Sequence, residues 1–244
     1  MPFTFAHPAL VLPLRCGIGR RLSLTALLAG SLAPDLEYFV RMKVKGIYGH
    51  TPAGIFLFDI PLALLLTFIF HILIRDSLIR NLPSVLYQRL WPPCSAIDWP
   101  SYVKNQFSTV LLSLFIGTLS HLIWDMFTHR DAFFITLFEW QTVSFNLFHH
   151  QIFLYSILQH TSTLVGFSII AGYLWRMPKK TNENSSISII YWSALLVLTL
   201  LISAARFAWI YPHIPFGTII VTLISSLFLA LCIISLCLKG ISTR

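Results

Sequence analysis

Five apolar runs constrain the fold of this chain more than any other feature. A helix needs roughly 20 apolar residues to cross a bilayer, and a backbone in lipid must satisfy its own hydrogen bonds, which a helix does. The runs cover residues 52–74, 107–128, 151–175, 187–210 and 216–238. The sequence therefore predicts an all-α integral membrane helical bundle with about five long spans.

Composition agrees with the lipid bilayer as the environment of this chain. Of the 244 residues, 56% are hydrophobic and 11% are charged, whereas ordinary soluble domains carry about 25% charged residues. No polar stretch is long enough for a second hydrophobic core. We predict a single membrane domain over residues 1–244.

Two short apolar stretches, 8–14 and 22–34, precede the long runs and are too short to cross a membrane alone. Gly17, Gly19 and a basic pair separate them, which favours a turn. We therefore predict a short N-terminal helical hairpin that enters the membrane and returns. The domain then has three parts, which are the hairpin and Pro-Asp segment (1–45), the core spans (46–175) and a C-terminal helix pair (187–238).

The net charge of +8 comes from residues scattered among short loops, which argues against a nucleic-acid partner. Basic residues are concentrated in 75–106, in 176–186 and in the tail, so the positive-inside rule predicts a cytoplasmic C-terminus. The connections 129–150 and 211–215 hold only one Lys or Arg between them, Arg130, and are predicted to be extracytoplasmic. Loop 41–51, with three basic residues, opposes this pattern.

Ionisable side chains near one end of the second run, 107–128, are the strongest functional signal. His121, Asp125 and His129 are spaced i, i+4 and i+8, which places the first two about 6 Å apart on one helix face. Such a pair can bind one metal ion. Alternatively, it can be a buried His-Asp pair that only joins helices.

Further candidates map to the same predicted extracytoplasmic side. If the hairpin arms are antiparallel, His7 emerges beside Asp35, which is expected to end the second arm. His50 precedes a helix start at Thr51-Pro52, and His149 and His150 open the third run, 151–175. Asp59 is expected either to orient a ligand histidine or to join helices by a hydrogen bond.

The chain also resembles an uncharacterised bacterial family of membrane proteins known only as a domain of unknown function. The resemblance extends over nearly the whole chain and is carried by His7-Pro8, Gly30-Ser31-Leu32-Ala33-Pro34-Asp35-Leu36-Glu37 and His50-Thr51-Pro52. The same positions are similar to those of inner-membrane metal-dependent hydrolases. This resemblance implies the bacterial cytoplasmic (inner) membrane and a metal-dependent activity.

A weaker resemblance is to zinc-dependent phospholipase C and the related single-strand nucleases. That superfamily binds zinc through an ordered series of His, Asp, His, HxxxD, His and HxxxE, and the chain offers His7, Asp35, His50, His121 with Asp125, and His129 in this order. It departs at the last motif, because Phe153 and Leu154 stand four residues after His149 and His150.

The leading hypothesis is a membrane-embedded metal-dependent hydrolase of a phosphoester in a lipid or lipid-linked substrate at the extracytoplasmic face. A divalent ion, Zn²⁺ by preference, is predicted to bind His7, Asp35, His50, His121 and Asp125. Asp125, His129 and His150, with His149 as an alternative, are predicted to act in catalysis.

Two other classes of function remain. The same residues can form a proton or metal pathway in a non-catalytic transporter or ion-binding membrane protein. They can also be His-Asp pairs that fasten the helices of a structural membrane protein. The oligomeric state is not predicted.

Overall fold

The computed structural model describes residues 3–15, 21–147, 150–179, 184–185, 187–212 and 214–242. Most of these residues are helical, and short 3-10 turns flank the first helix at Thr4–Ala6 and Pro13–Arg15. The elements in chain order are α1 (Pro8–Val11), α2 (Leu24–Arg41), α3 (Pro52–Arg80), α4 (Ser84–Ser95), α5 (Trp99–Asn105), α6 (Phe107–Asp125), α7 (Phe133–Leu137), β1 (Ser144–Leu147), β2 (His150–Phe153), α8 (Leu154–Arg176), α9 (Ile189–Ile210) and α10 (Phe216–Ser242).

Within the described residues, five helices are long and apolar enough to cross a membrane, namely α3, α6, α8, α9 and α10. The predicted helical membrane bundle is therefore confirmed. Two helices, α1 and α2, lie where the arms of the N-terminal hairpin were predicted, while residues 16–20 of its predicted turn lie outside the described residues, so the hairpin stays a prediction. His149 and His213 also lie outside them.

The first long span starts where the sequence predicts and ends later. The Thr51 side chain accepts a hydrogen bond from Gly54 N (2.9 Å), and Pro52 occupies the first helical position. The helix contains two π-helical turns and passes the predicted end at residue 74. It continues because Arg75, which interrupts the apolar run, donates hydrogen bonds to the carbonyls of Cys94 and Ile97 (3.0 and 2.8 Å).

The third long span starts later than predicted, at Leu154 rather than residue 151. Residues 150–153 form β2 instead, which pairs antiparallel with β1 in a two-stranded sheet whose register places Phe145 opposite Ile152. Leu154 N then donates to Val143 O (2.9 Å). His150 therefore lies in a strand and does not open the helix.

The second arm of the hairpin does not end at Asp35 as expected, because α2 runs through Pro34 to Arg41. A proline in a helix cannot donate to the carbonyl four residues earlier, which here is that of Gly30. The hydroxyl of Thr118 is within hydrogen-bond distance of this carbonyl (3.3 Å) and of Leu114 O in its own helix (3.0 Å), so its single proton is shared between the two. A side chain of α6 thus supplies part of the hydrogen bonding that Pro34 removes.

The chain divides into two compact units, and residues 1–34, 48–64 and 106–176 form unit 1. In this unit α2 and α6 cross closely, since a Cβ on Gly30 would lie 2.2 Å from Leu114 O and a Cβ on Gly117 would lie 2.4 Å from Leu27 O. The N-terminal segment packs on α8, where Phe3 N donates to Thr163 Oγ1 (3.0 Å). The N-terminal part of the chain therefore packs against two spans, with α2 on α6 and the segment at Phe3 on α8.

Unit 2 comprises residues 35–47, 65–105 and 177–244. Its centre is the helix pair α9 and α10, in which Tyr191, Leu195 and Ala230 form a buried cluster. Ser225 donates to Phe39 O (2.8 Å), which ties α10 to the end of α2. The predicted limits 1–45, 46–175 and 187–238 within one membrane domain stay predictions.

Candidate metal centre

One carboxylate, that of Asp125 at the end of α6, is the centre of the candidate site. His121 lies one turn earlier on the same face, and its Nε2 is 3.2 Å from Asp125 Oδ2. The chain keeps a helical hydrogen bond beyond the helix end, from His129 N to Asp125 O (3.2 Å). His129 Nδ1 therefore lies 3.4 Å from Asp125 Oδ1, as the i, i+4, i+8 spacing predicts.

His7 approaches the same carboxylate from the N-terminal segment, with its Nε2 3.6 Å from Asp125 Oδ1. Pro8 occupies the first position of α1, but the His7 side chain makes no capping hydrogen bond. Its ring instead stacks on His121, with centroids 3.7 Å apart, and meets the edge of Trp124 at 5.4 Å. The His7 side chain is fully buried.

The pKa of His7 is lowered from 6.5 to about 3, mainly by burial and also by the neighbouring His121, while Asp125 opposes the shift. Burial disfavours the charged imidazolium because the surrounding protein solvates it less well than water does. His7 is therefore neutral at neutral pH. The neutral imidazole is the form that offers a lone pair to a metal ion.

His50 reaches Asp125 from the loop before α3, with its Nε2 3.4 Å from Asp125 Oδ2. Its backbone has φ of 65°, in the left-handed region that residues with a Cβ seldom adopt. The loop is compact, since Thr51 Oγ1 donates to Tyr48 O (2.7 Å) and a Cβ on Gly54 would lie 1.8 Å from that oxygen. The turn directs His50 towards the carboxylate.

The hydrogen bond on the far side of His121 determines its tautomer. Nδ1 lies 2.8 Å from Ser31 O, and a carbonyl can only accept, so Nδ1 carries the proton. In the neutral ring Nε2 then presents a lone pair to Asp125 Oδ2. Two electron-rich atoms at 3.2 Å repel each other unless a cation or a proton lies between them.

The distances around Asp125 suit a shared cation. Protein ligands of tetrahedral Zn²⁺ lie about 2.0–2.2 Å from the ion, hence roughly 3.3–3.6 Å from one another. The separations of His7, His50 and His121 from Asp125 are 3.2–3.6 Å, and one ligand atom each of His50, His121 and Asp125 lie within 4.8 Å of one another. Charge-assisted hydrogen bonds are shorter, about 2.7–2.9 Å. Imidazole nitrogens and a carboxylate therefore fit a Zn²⁺-like ion.

The site is closed on one side and open on the other. The side chains of His7 and His121 are 0% exposed, whereas those of His50 and His129 are 27% and 29% exposed. The Asp125 side chain, between them, is 10% exposed. The rings of His50 and His129 therefore form the more exposed side of the site.

Of the remaining predicted site residues, Asp35 is fully buried on α2, one turn after Ser31. Its role as a metal ligand stays a prediction. His150 is exposed at the start of β2, and within the part of the chain that the structure describes it makes no ion pair with Asp125. Asp59 is fully buried, with Oδ1 3.5 Å from the position of a Cβ on Gly49.

Two contributors were not anticipated from the sequence. The Ser31 carbonyl is a backbone group 90 residues from His121, and no residue pattern marks it. Trp124 follows His121 by three residues, a spacing that places both on neighbouring parts of one helix face. This spacing is the only sequence feature that could have indicated that Trp124 lies near the site and contacts His7.

Comparison with known proteins identifies a family but no activity. The family model described as Domain of unknown function (DUF4184) matches residues 1–236. No curated protein and no solved structure matches the chain. The resemblance to an uncharacterised family is confirmed, while the resemblance to metal-dependent hydrolases and to zinc-dependent phospholipase C stays a prediction.

Proposed function

We propose a function from the geometry of the site, because this chain belongs to the DUF4184 family, whose description names no activity. The proposed function is metal-dependent hydrolysis of a phosphoester in a lipid or lipid-linked substrate. One observation carries the proposal, which is that nitrogens of four histidines lie within 3.2–3.6 Å of a single buried carboxylate.

The ion would be held by His7, His50, His121 and Asp125, with Asp35 as a further proposed ligand. The stack of His7 on His121 and the bond from His121 to Ser31 O orient two of these rings before any ion binds. Such outer hydrogen bonds fix the ring orientation of ligand histidines. A bound Zn²⁺ would supply positive charge to the phosphoryl oxygens and would lower the pKa of water towards 7.

His129 is proposed to handle the proton of the reaction. Its Nδ1 lies 3.2 Å from Asp125 O, so this nitrogen carries the proton and Nε2 carries the lone pair. In hydrolysis water adds to phosphorus, the bond from phosphorus to the lipid alcohol breaks, and the alcohol leaves with a proton. A half-exposed imidazole on the open side is suited to take up or donate that proton.

The proposed location is the bacterial cytoplasmic membrane, with the C-terminus in the cytoplasm and the site at the extracytoplasmic face. Five apolar helices support the membrane environment. The orientation rests on the positive-inside rule applied to the basic loops. A phosphoester at the headgroup level of the outer leaflet would then be the accessible substrate.

Metal analysis of the purified chain tests the proposal, with Asp125→Asn and His121→Ala as site variants. Asp131→Asn is the matched control, because Asp131 is exposed and lies six residues from Asp125. We expect wild type and Asp131→Asn to retain about one zinc or more per chain, and the site variants to lose it. Release of the water-soluble phosphorylated headgroup from phospholipid vesicles should follow the same order.

Wild-type protein without metal under zinc-replete conditions would overturn the metal site. Metal retention without hydrolysis of any phospholipid, combined with ion flux in proteoliposomes, would favour the ion-binding or transport alternative instead.

A further inference from the structure

An open apolar groove lies between α9 and α10 in unit 2. It has a volume of about 360 Å³ and is lined by Trp192, Leu195, Leu196, Leu223, Ile224 and Leu227, together with Thr199. This volume falls within the roughly 300–1,000 Å³ of small-molecule sites in proteins. Both helices qualify as membrane spans, so the groove is expected to lie at a depth where hydrocarbon chains are the solvent.

Beyond Thr199, the last residue of α9 that lines the groove, the same face of α9 becomes polar. Thr199, Ser203 and Arg206 follow Trp192 at intervals of 7, 11 and 14 residues, which keeps all four on one helix face. Arg206 lies four residues before the end of α9 at Ile210. Its side chain is thus within about one turn, roughly 6 Å, of the helix end.

The polar atoms at this end lack partners in the described part of the chain. Ser203 Oγ and Arg206 Nε are both buried and make no hydrogen bond there. Ser203 as a whole is only 2% exposed. A buried donor without an acceptor is costly, and more so when it belongs to a cation.

We propose that this groove binds an anionic phospholipid, with the phosphate at the half-buried guanidinium of Arg206 and an acyl chain along the apolar lining. The guanidinium is a donor, and phosphate oxygens are acceptors that Arg binds with well-matched geometry. The apolar lining offers no polar partner to the rest of the ligand, which suits a hydrocarbon tail. This proposal does not depend on the hydrolase activity.

A phospholipid fits better than a protein helix for reasons of charge. A second copy of the chain has no acidic side chain on α9 or α10 to pair with Arg206, and a partner helix would have to supply one near its own end. A phospholipid carries its negative charge at the headgroup level, next to the end of a spanning helix.

Native mass spectrometry of the full chain in nonionic detergent tests the proposal. The probe is an equimolar mixture of phosphatidylglycerol and phosphatidylcholine with the same acyl chains. We expect wild type to retain one phosphatidylglycerol in preference to phosphatidylcholine. Arg206→Ala should reduce this retention about tenfold, as expected for the loss of one charge-assisted hydrogen bond, and Leu227→Trp should block both lipids by filling the groove.

Two variants serve as matched controls. Thr222→Val removes another fully buried hydroxyl without a hydrogen-bond partner in the described chain, but Thr222 does not line the groove. Arg176→Ala removes an exposed basic residue at the end of α8. Both should retain phosphatidylglycerol as wild type does, and circular dichroism should show that every variant is folded.

Equal retention of phosphatidylglycerol by wild type and folded Arg206→Ala would overturn the headgroup assignment. Unchanged retention in Leu227→Trp would overturn the groove. A wild-type dimer that retains no lipid and dissociates in Leu227→Trp would overturn the proposal in favour of a second copy of the chain.

Discussion

The imidazole rings of His7 and His121 stack face to face, with centroids 3.7 Å apart and planes inclined by 14°. One ring belongs to the segment before α1 and the other to a membrane span. The stack directs both Nε2 atoms towards the carboxylate of Asp125, at 3.6 and 3.2 Å. The N-terminus of the chain is therefore part of the candidate metal centre.

Removing metal should destabilise the folded chain, because an ion that binds only the folded state stabilises it by mass action. We expect a chelator to lower the Tm of wild-type protein in detergent. Asp125→Asn should show a Tm that no longer responds to chelator, while Asp131→Asn should respond as wild type does. An equal response of Asp125→Asn and wild type would contradict a metal centre at this carboxylate.

The crossing of α2 and α6 should tolerate no side chain at Gly30. A Cβ there would lie 2.2 Å from Leu114 O, a backbone atom that cannot move without shifting α6. Gly30→Ala should lower the free energy of unfolding by about 1–3 kcal/mol, as overpacked cores do, and should weaken metal binding through the displaced Ser31 carbonyl. Unfolding in detergent and metal content measure the two effects.

Gly172→Ala is the matched control for this exchange. Gly172 lies in α8 with nothing within 4 Å of an added Cβ, so alanine should be neutral or should stabilise the helix by up to about 1 kcal/mol. If both alanine variants unfolded alike, close packing at Gly30 would not be the cause.

The hydrogen bond from Thr118 to Gly30 O should stabilise the fold because Pro34 has no N–H to donate to this carbonyl. Thr118→Val should lower the free energy of unfolding by about 1–2 kcal/mol, since the buried carbonyl then has no donor. In a Pro34→Ala background the N–H of residue 34 can donate to Gly30 O, so Thr118→Val should lower the free energy of unfolding by less. A double-mutant cycle in detergent measures the coupling, and strict additivity would refute the compensation.

The spans and the order of the His121, Asp125 and His129 cluster were predictable because both depend on local spacing. Apolar length predicts a spanning helix wherever it occurs, and i, i+4 spacing places His121 beside Asp125 in any helix. Both predictions need no knowledge of the rest of the chain.

The missed features depend on contacts with residues outside the element concerned. Pro34 alone predicts the end of a helix, and α2 continues because of Thr118, which is 88 residues from Gly30. The extension of α3 likewise rests on carbonyls 19 and 22 residues after Arg75. Residues 150–153 adopt a strand because β1 pairs with them, which apolar length alone does not reveal.

The backbone of His50 permits a test that separates its role as a ligand from its conformation. At φ of 65° a Cβ costs about 1–2 kcal/mol, so His50→Gly relieves strain that His50→Ala retains. Both variants should lose metal to the same extent, because both lack the imidazole. In chelator, however, His50→Gly should be more stable than His50→Ala by about 1 kcal/mol.

At residue 53, glycine and alanine should rank in the opposite order of stability. Ala53 lies in the first turn of α3, where glycine is less favourable than alanine by up to about 1 kcal/mol. Ala53→Gly should therefore destabilise the chain, whereas glycine stabilises relative to alanine at residue 50. If glycine were also the less stable choice at residue 50, the left-handed turn would not be strained, and another contact would have to explain how the loop directs His50 to Asp125.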